Sequence, residues 1–270
     1  MDKIGNFVEL KKSDKIWAIG SIHSNLKSFS AIKKFILKNF KLNDKLIFLG
    51  NIIGLGDNSK ETLDSAIDLR FNLMSKFKLK PESIVFLRGA QEEMFSKLLQ
   101  LHLAPNPGEI VEWMFDHGVN KTILSYGFSE NEVKNITSSG TIKISKWTSN
   151  LNKVLHNNPG HIQYFLNLKH AAYSSTKKIL FVNRGVDITR PLSAQNDCFW
   201  WGFQNFSKIK EPYKTFLRIV RGYESEQLNK SEISNNRVVC TLFKQPLSNK
   251  SVICGVFGEN GEILDLFENN

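Results

Sequence analysis

A short apolar run that closes on a glycine, followed by apolar residues at helical spacing, recurs along the N-terminal part of the chain, and this rhythm limits the fold more than any other feature. Lys15-Ile16-Trp17-Ala18-Ile19 runs into Gly20, and Leu26, Phe29, Ile32, Phe35, Ile36 and Phe40 then follow at the spacing of an amphipathic helix. Leu46-Ile47-Phe48-Leu49 ends at Gly50, and after a turn-rich stretch Asn58 with Glu61 reads as a capping box that opens a second helix. Ser83-Ile84-Val85-Phe86-Leu87 is a third strand, with Gly89 just beyond it. Alternating strands and helices make an α/β fold, and such folds place their ligands beyond the C-terminal ends of the strands.

From about Gln91 to Leu168 the pattern changes to helices broken by Pro105-Asn106-Pro107-Gly108, Ser138-Ser139-Gly140 and Asn157-Asn158-Pro159-Gly160. Strands return at Ala171 to Ser174, Lys178 to Val182, Leu217 to Arg221, Arg237 to Leu242 and Ser251 to Phe257, and Glu259-Asn260-Gly261 suits a hairpin turn. The expected architecture is one domain over 1–270. It holds two sheets packed face to face with helices outside, and a helical insertion at about 91–168.

No apolar run reaches the length of about 18 residues that a membrane helix needs, and Met1-Asp2-Lys3-Ile4 lacks a signal-peptide pattern. A soluble, cytoplasmic protein without a membrane partner is expected. Cys198, Cys240 and Cys254 have no C-x-x-C spacing and sit among apolar residues, which reads as buried free thiols. The formal charge of +10 admits an acidic partner, but the lysines are scattered, so a solvated basic surface is the simpler reading and nucleic acid the less favoured partner.

The chemistry-bearing segments are Gly20-Ser21-Ile22-His23-Ser24, Gly50-Asn51-Ile52-Ile53-Gly54-Leu55-Gly56, Arg88-Gly89-Ala90-Gln91-Glu92, Phe181-Val182-Asn183-Arg184-Gly185 and Val220-Arg221-Gly222-Tyr223-Glu224. In order and spacing they resemble the motifs of the calcineurin-like metallophosphoesterases, in particular the bacterial PPP-type Ser/Thr phosphatases and diadenosine tetraphosphatases. Thr189-Arg190-Pro191-Leu192 and Trp201-Gly202 also follow the outline of those relatives, and the resemblance spans roughly Lys15 to Phe267. It implies a metallophosphoesterase-like αββα sandwich of two mixed sheets.

The resemblance also implies where metal ligands belong, and most of them are missing. The family's G-D-x-H-G is here Gly20-Ser21-Ile22-His23-Ser24, so the carboxylate has become Ser21 while His23 remains. In place of G-D-x-x-D-R-G the chain has Asn51 for the bridging aspartate, Gly54 for the aspartate that orients the catalytic histidine and Leu55 for the phosphate-binding arginine. The G-N-H-E motif keeps Gly89 and Glu92, but its asparagine ligand is Ala90 and its acid-catalyst histidine is Gln91. The last two ligand histidines are Asn183 and Tyr223. A pair of dications needs anionic and imidazole ligands to offset its repulsion, and Gln91 does not titrate.

The expectation is therefore a catalytically degenerate phosphoesterase with a binding or regulatory role, no catalytic residues and no cofactor. Two alternatives stay open: an active phosphoesterase with an atypical site holding Mn, Fe or Zn, and a basic nucleotide or nucleic-acid binder on the same fold. Arg88, Arg184 and Arg221 stand in or beside three strand-end motifs, so a cleft stripped of metal becomes a candidate anion site for a phosphorylated ligand, or else a protein partner is bound elsewhere. The competing reading has these arginines turned to solvent or paired with Glu92, Asp187 or Glu224. His23 is read as bonding a neighbouring backbone carbonyl, with a leftover ligand as the alternative. His102, His117, His156, His161 and His170 receive no chemistry, and Trp200 and Trp201 beside Phe199 and Phe203 are read as packing rather than as a base-stacking surface.

Overall fold

A computed structural model describes residues 6–202, 206–223, 237–243 and 251–268 of the chain. Phe203 and Glu224, weighed above, lie outside the described residues. The first part of the chain gives β1 (Phe7–Glu9), β2 (Ile16–Ile19), α1 (Leu26–Asn39), β3 (Lys45–Phe48), α2 (Ser59–Phe77) and β4 (Ile84–Phe86). Helices α3 (Ala90–Leu98), α4 (Pro107–Asp116), α5 (Val119–Ser125), α6 (Glu130–Thr137), α7 (Thr141–His156) and α8 (His161–Asn167) then fill the stretch before β5 (Ala171–Tyr173) and β6 (Ile179–Val182). A short α9 (Cys198–Trp201) precedes β7 (Arg218–Arg221), β8 (Val239–Thr241), β9 (Ile253–Phe257) and β10 (Ile263–Glu268).

The strands form two mixed sheets, ordered β10-β9-β2-β3-β4 and β1-β5-β6-β7-β8. Parallel pairs β2–β3 and β3–β4 in one sheet match parallel pairs β6–β7 and β7–β8 in the other. The central strands are buried on both faces, which is why they read as continuous apolar runs rather than as alternating ones. Ile16, Ala18, Ile47 and Val85 face Ala172, Ile179, Phe181 and Val220 between the sheets. Trp17, Ile19, Leu46 and Phe48 point to the other side, against Phe29, Ile32 and Ile36 of α1 and Leu63 and Ala66 of α2. Phe181 and Phe257 meet edge to face across the sheets at 5.7 Å. Each such ring contributes about 1.5–3 kcal/mol through burial.

The breaks read from sequence separate the helices as expected. Pro107 starts α4, where a missing N–H costs nothing, and Gly140 and Gly160, at φ 87° and 84°, allow the reversals before α7 and α8. The capping box at Asn58 does not form: α2 begins at Ser59, but Asn58 has φ −104° and ψ 41° and makes no side-chain cap. Instead Ser59 Oγ accepts from Gly54 N (3.2 Å) and pairs with Ser24 Oγ (2.7 Å) and Thr122 Oγ1 (3.2 Å), tying the helix start to two loops. His161 is a structural tie: its ring is buried, with Tyr126 OH 2.6 Å from Nδ1 and Asp64 Oδ1 2.9 Å from Nε2. β1 gave no sequence signal, because three residues are too few to show a period. Among the described residues no helix is long and apolar enough to cross a membrane.

Candidate functional site

The loops that leave β2, β3, β4, β6 and β7 meet at one end of the paired sheets, and backbone hydrogen bonds sew them together. Ser21 N donates to Gly222 O (2.8 Å), His23 N to Asn51 O (2.8 Å), and Gly222 N and Tyr223 N to Asn183 O (2.8 and 3.0 Å). The loops pack too closely for a side chain at Gly89, where a Cβ would lie 2.3 Å from Asn51 Oδ1. His23, Ser24, Asn51 and Leu55 all adopt left-handed backbone, at φ 48°, 60°, 54° and 61°. Each such residue other than Asn costs about 1–2 kcal/mol, and strain of this kind gathers where a loop is shaped for a ligand.

Ser21, His23, Asn51, Ala90 and Asn183 are buried, and Tyr223 is half-buried. Ser21, Asn51 and Asn183 make side-chain hydrogen bonds to one another or to the backbone. Asn51 Nδ2 donates to Ser21 Oγ (3.2 Å), while Asn51 Oδ1 accepts from Gln91 N (3.0 Å). Asn183 Nδ2 donates to Leu49 O (2.6 Å). Gln91 Nε2 donates to His117 O (2.8 Å), and the Gln91 side chain lies directly over Gly54, where an added Cβ would be 2.0 Å from Gln91 Oε1. The positions the resemblance pairs as aspartate and histidine thus still face each other, but as glycine and amide. The His23 ring sits edge-on to Tyr223 (5.0 Å) and Phe243 (6.0 Å).

Glu92 anchors the floor. Its Oε2 accepts from Asn51 N (2.8 Å) and Gly89 N (3.0 Å), and its Oε1 from Ile52 N (2.8 Å) and Tyr164 OH (3.0 Å). Full burial pushes its carboxyl above the ordinary range, with the donors acting against that shift. The sequence marks Glu92 as a motif survivor and as an arginine partner, but its partners are backbone N–H groups and Tyr164 while Arg88 pairs with Glu93, and no local pattern points to Tyr164, Ser59 or Thr122. Sequence reasoning also missed a rim built by Trp113, whose ring lies 4.3 Å from His117 and 5.8 Å from Trp201. Trp200 packs in the core, as its apolar neighbours indicated.

The three arginines divide. Arg221 is buried against the Phe206 ring (4.2 Å), with Nε donating to Thr241 Oγ1 (2.8 Å) and Nη1 to Arg184 O (3.4 Å). Arg184 stands 5.7 Å from the Tyr223 ring and packs along Gly202, so these two are neighbours at the strand ends. Arg88 instead pairs with Glu93 at 2.5 Å and faces Trp200 at 5.7 Å. Asp187, weighed as an arginine partner, binds Arg190 (2.9 Å) and Thr189.

No family model and no curated protein matches the chain. Solved structures do. A candidate diadenosine tetraphosphatase aligns over 97% of both chains with TM-score 0.55 at 14% identity. A Ser/Thr phosphatase from Saccharomyces cerevisiae, similar to human phosphatase PP5, aligns over 98% of this chain and 82% of its own with TM-score 0.53 at 18% identity. A protein tyrosine phosphatase of a psychrophilic Shewanella aligns over 96% of this chain and 82% of its own with TM-score 0.50 at 12% identity. The chain has the metallophosphoesterase fold. That fold implies a two-metal centre, but the donors at the strand ends do not fit one. Among the described residues no group of three His, Cys, Asp or Glu side chains is placed to hold a metal ion. The imidazole of the floor is His23, and its carboxylate, Glu92, is directed at five N–H and O–H donors. Neutral amides do not offset the repulsion of two dications.

Proposed function

We propose that this metallophosphoesterase-fold protein binds a phosphorylated ligand without hydrolysing it. The observation that carries the reading is the floor at the strand ends. Asn51 bonds Ser21 and the Gln91 backbone, and Asn183 and Gln91 each donate to a backbone carbonyl. Asn183 Oδ1 and Gln91 Oε1 find no partner among the described residues, so the floor offers neutral groups where a metal pair needs charge. Hydrolysis by this fold relies on metals to clamp the phosphate and activate water, and a neutral amide at Gln91 has no proton to give a leaving oxygen. Positive charge is supplied at the same end by Arg184, half-buried beside Tyr223, with Arg221 beneath it. A guanidinium holds phosphate through directed hydrogen bonds and leaves its ester bonds intact. The Ser/Thr and tyrosine phosphatases of similar fold favour phosphate as the recognised group.

The test joins three measurements. Elemental analysis after incubation with Mn, Fe, Zn and Mg is expected to find no stoichiometric metal, and p-nitrophenyl phosphate turnover to equal buffer. Phosphate or a phosphopeptide is expected to raise the melting temperature at low salt, by about 1.4 kcal/mol of stability at tenfold saturation, and Arg184→Ala to reduce that gain. Two bound metals per chain with turnover abolished by His23→Ala would establish the active-enzyme alternative instead. Absence of any shift with any phosphate at low salt would remove the anion site.

A further inference from the structure

Helix α3 turns Gln91 and Glu92 toward the strand-end floor and carries Glu93 and Lys97 on another face. There a pocket of about 370 Å³ opens between Arg88, Glu93 and Lys97 and the side chains Ile162, Phe165 and Leu166 of α8. The volume lies at the small end of the range for ligand sites. We propose that this pocket binds an organic monocarboxylate with an apolar body.

Charge comes first. Arg88 and Lys97 oppose one carboxylate, Glu93, which lies 2.5 Å from Arg88 Nη1 and 3.8 Å from Lys97 Nζ. The lining therefore carries a net charge of +1 (two cations less one anion), which balances a monoanion. A phosphate dianion would set a second negative charge against Glu93. Arg88 also has donors to offer: its side chain stays 25% exposed beside Glu93, so the guanidinium keeps an open edge toward the pocket. A carboxylate oxygen brought to that edge gains a charge-assisted hydrogen bond. Trp200, 5.7 Å from the Arg88 Cζ, fixes the orientation of the planar group.

The apolar half of the pocket selects the rest of the ligand. Phe165 is buried and forms the floor, while Leu166 is 77% exposed. Covering Leu166 with an apolar group removes that surface from water. An alkyl or aryl body lying on Phe165 and Leu166 with its carboxylate toward Arg88 and Lys97 satisfies both halves. A free small acid and the C-terminal residue of a polypeptide ending in a large apolar side chain present the same chemistry.

Calorimetric titration at low salt decides the matter, with four probes: 3-phenylpropanoate, its amide, and a tetrapeptide ending in leucine with a free or an amidated C-terminus. Saturable binding of at least one free carboxylate is expected, with its amide about tenfold weaker for loss of a charge-assisted contact. A small acid that binds while the peptide does not identifies a metabolite site; a peptide that binds more tightly identifies C-terminus capture. Lys97→Gln, at a side chain 65% exposed, is expected to weaken binding several-fold. Leu166→Asp, which puts a negative charge at the mouth, is expected to abolish it, and neither change threatens the core. Equal affinity for acid and amide, no saturation by either acid at millimolar concentration, or indifference to Leu166→Asp would overturn the proposal. This site is independent of the phosphate reading, since the phosphate-induced melting shift is expected to persist in Leu166→Asp.

Discussion

Glu92→Gln tests whether the surviving carboxylate is a structural staple. One carboxylate oxygen accepts from Asn51 N and Gly89 N, and the other from Ile52 N, Tyr164 OH and, at 3.5 Å, Ile53 N. An amide offers one oxygen and one NH2, so one set of donors must face another donor. The less damaging orientation turns NH2 toward Tyr164, whose hydroxyl can accept, and strands Ile52 N–H at about 1–3 kcal/mol. The bonds to Asn51 and Gly89 lose their charge assistance, roughly 1 kcal/mol each. Relief from burying a charge returns part of this, leaving a net loss on the order of 2–4 kcal/mol. Urea denaturation is expected to show a lower midpoint at unchanged slope.

The sign with pH follows from the same burial. Because the folded pKa of Glu92 is raised, the folded protein takes up this proton more readily than the unfolded chain. The group's contribution is full below the unfolded value of about 4.3 and is lost as pH rises through the raised folded value. The difference between wild-type and Glu92→Gln profiles is expected to fall across that window and to be flat above it. A stability change under about 0.5 kcal/mol, within the range of an ordinary surface substitution, would refute the staple, and a difference curve of opposite slope would show that the donors outweigh burial.

Gly54→Asp is expected to destabilise the fold on its own, because φ is +85° and the new Cβ would lie 2.0 Å from Gln91 Oε1. Thermal melting should show partial rescue when Gln91→His is added, and full stability of Gly54→Asp alone would contradict the packing described. Burial lowers the pKa of His161, with its Asp64 contact acting the other way. Its contribution is present above the unfolded value of about 6.5 and is lost as pH falls through that value toward the lowered folded one, so melting temperature should drop across that interval. His161→Gln should flatten the drop, and an unchanged slope would exclude His161 as its source. Tyr164→Phe should cost about 1 kcal/mol in wild type and less in Glu92→Gln, a coupling that a double-mutant denaturation cycle measures.

The two-sheet architecture was legible because β2, β3 and β4 are apolar runs ended by Gly20, Gly50 and Gly89, and because prolines and glycines mark the helix breaks. β1 was not, since Phe7–Glu9 owes its existence to pairing with β5 across a long stretch of chain. At the site, the positions were readable but the contacts were not. Nothing in the order of residues announces that Gln91 lies over Gly54, or that Tyr164 reaches Glu92 from α8. Arg88 and Arg184 look equivalent beside their motifs, yet Glu93, in the first turn of α3, draws the Arg88 guanidinium to a different pocket. The Asn58 box failed because the N-terminus of α2 was taken over by Ser59, through partners distant in sequence.

Helix α3 forms a party wall between the strand-end floor and the pocket beside α8. Over its nine residues it sets Glu93, which lines the pocket, next to Glu92, which holds the backbone of Asn51 and Ile52. Thermodynamic linkage then makes the traffic symmetrical: any factor by which an occupant of one chamber changes affinity in the other is matched in the reverse direction.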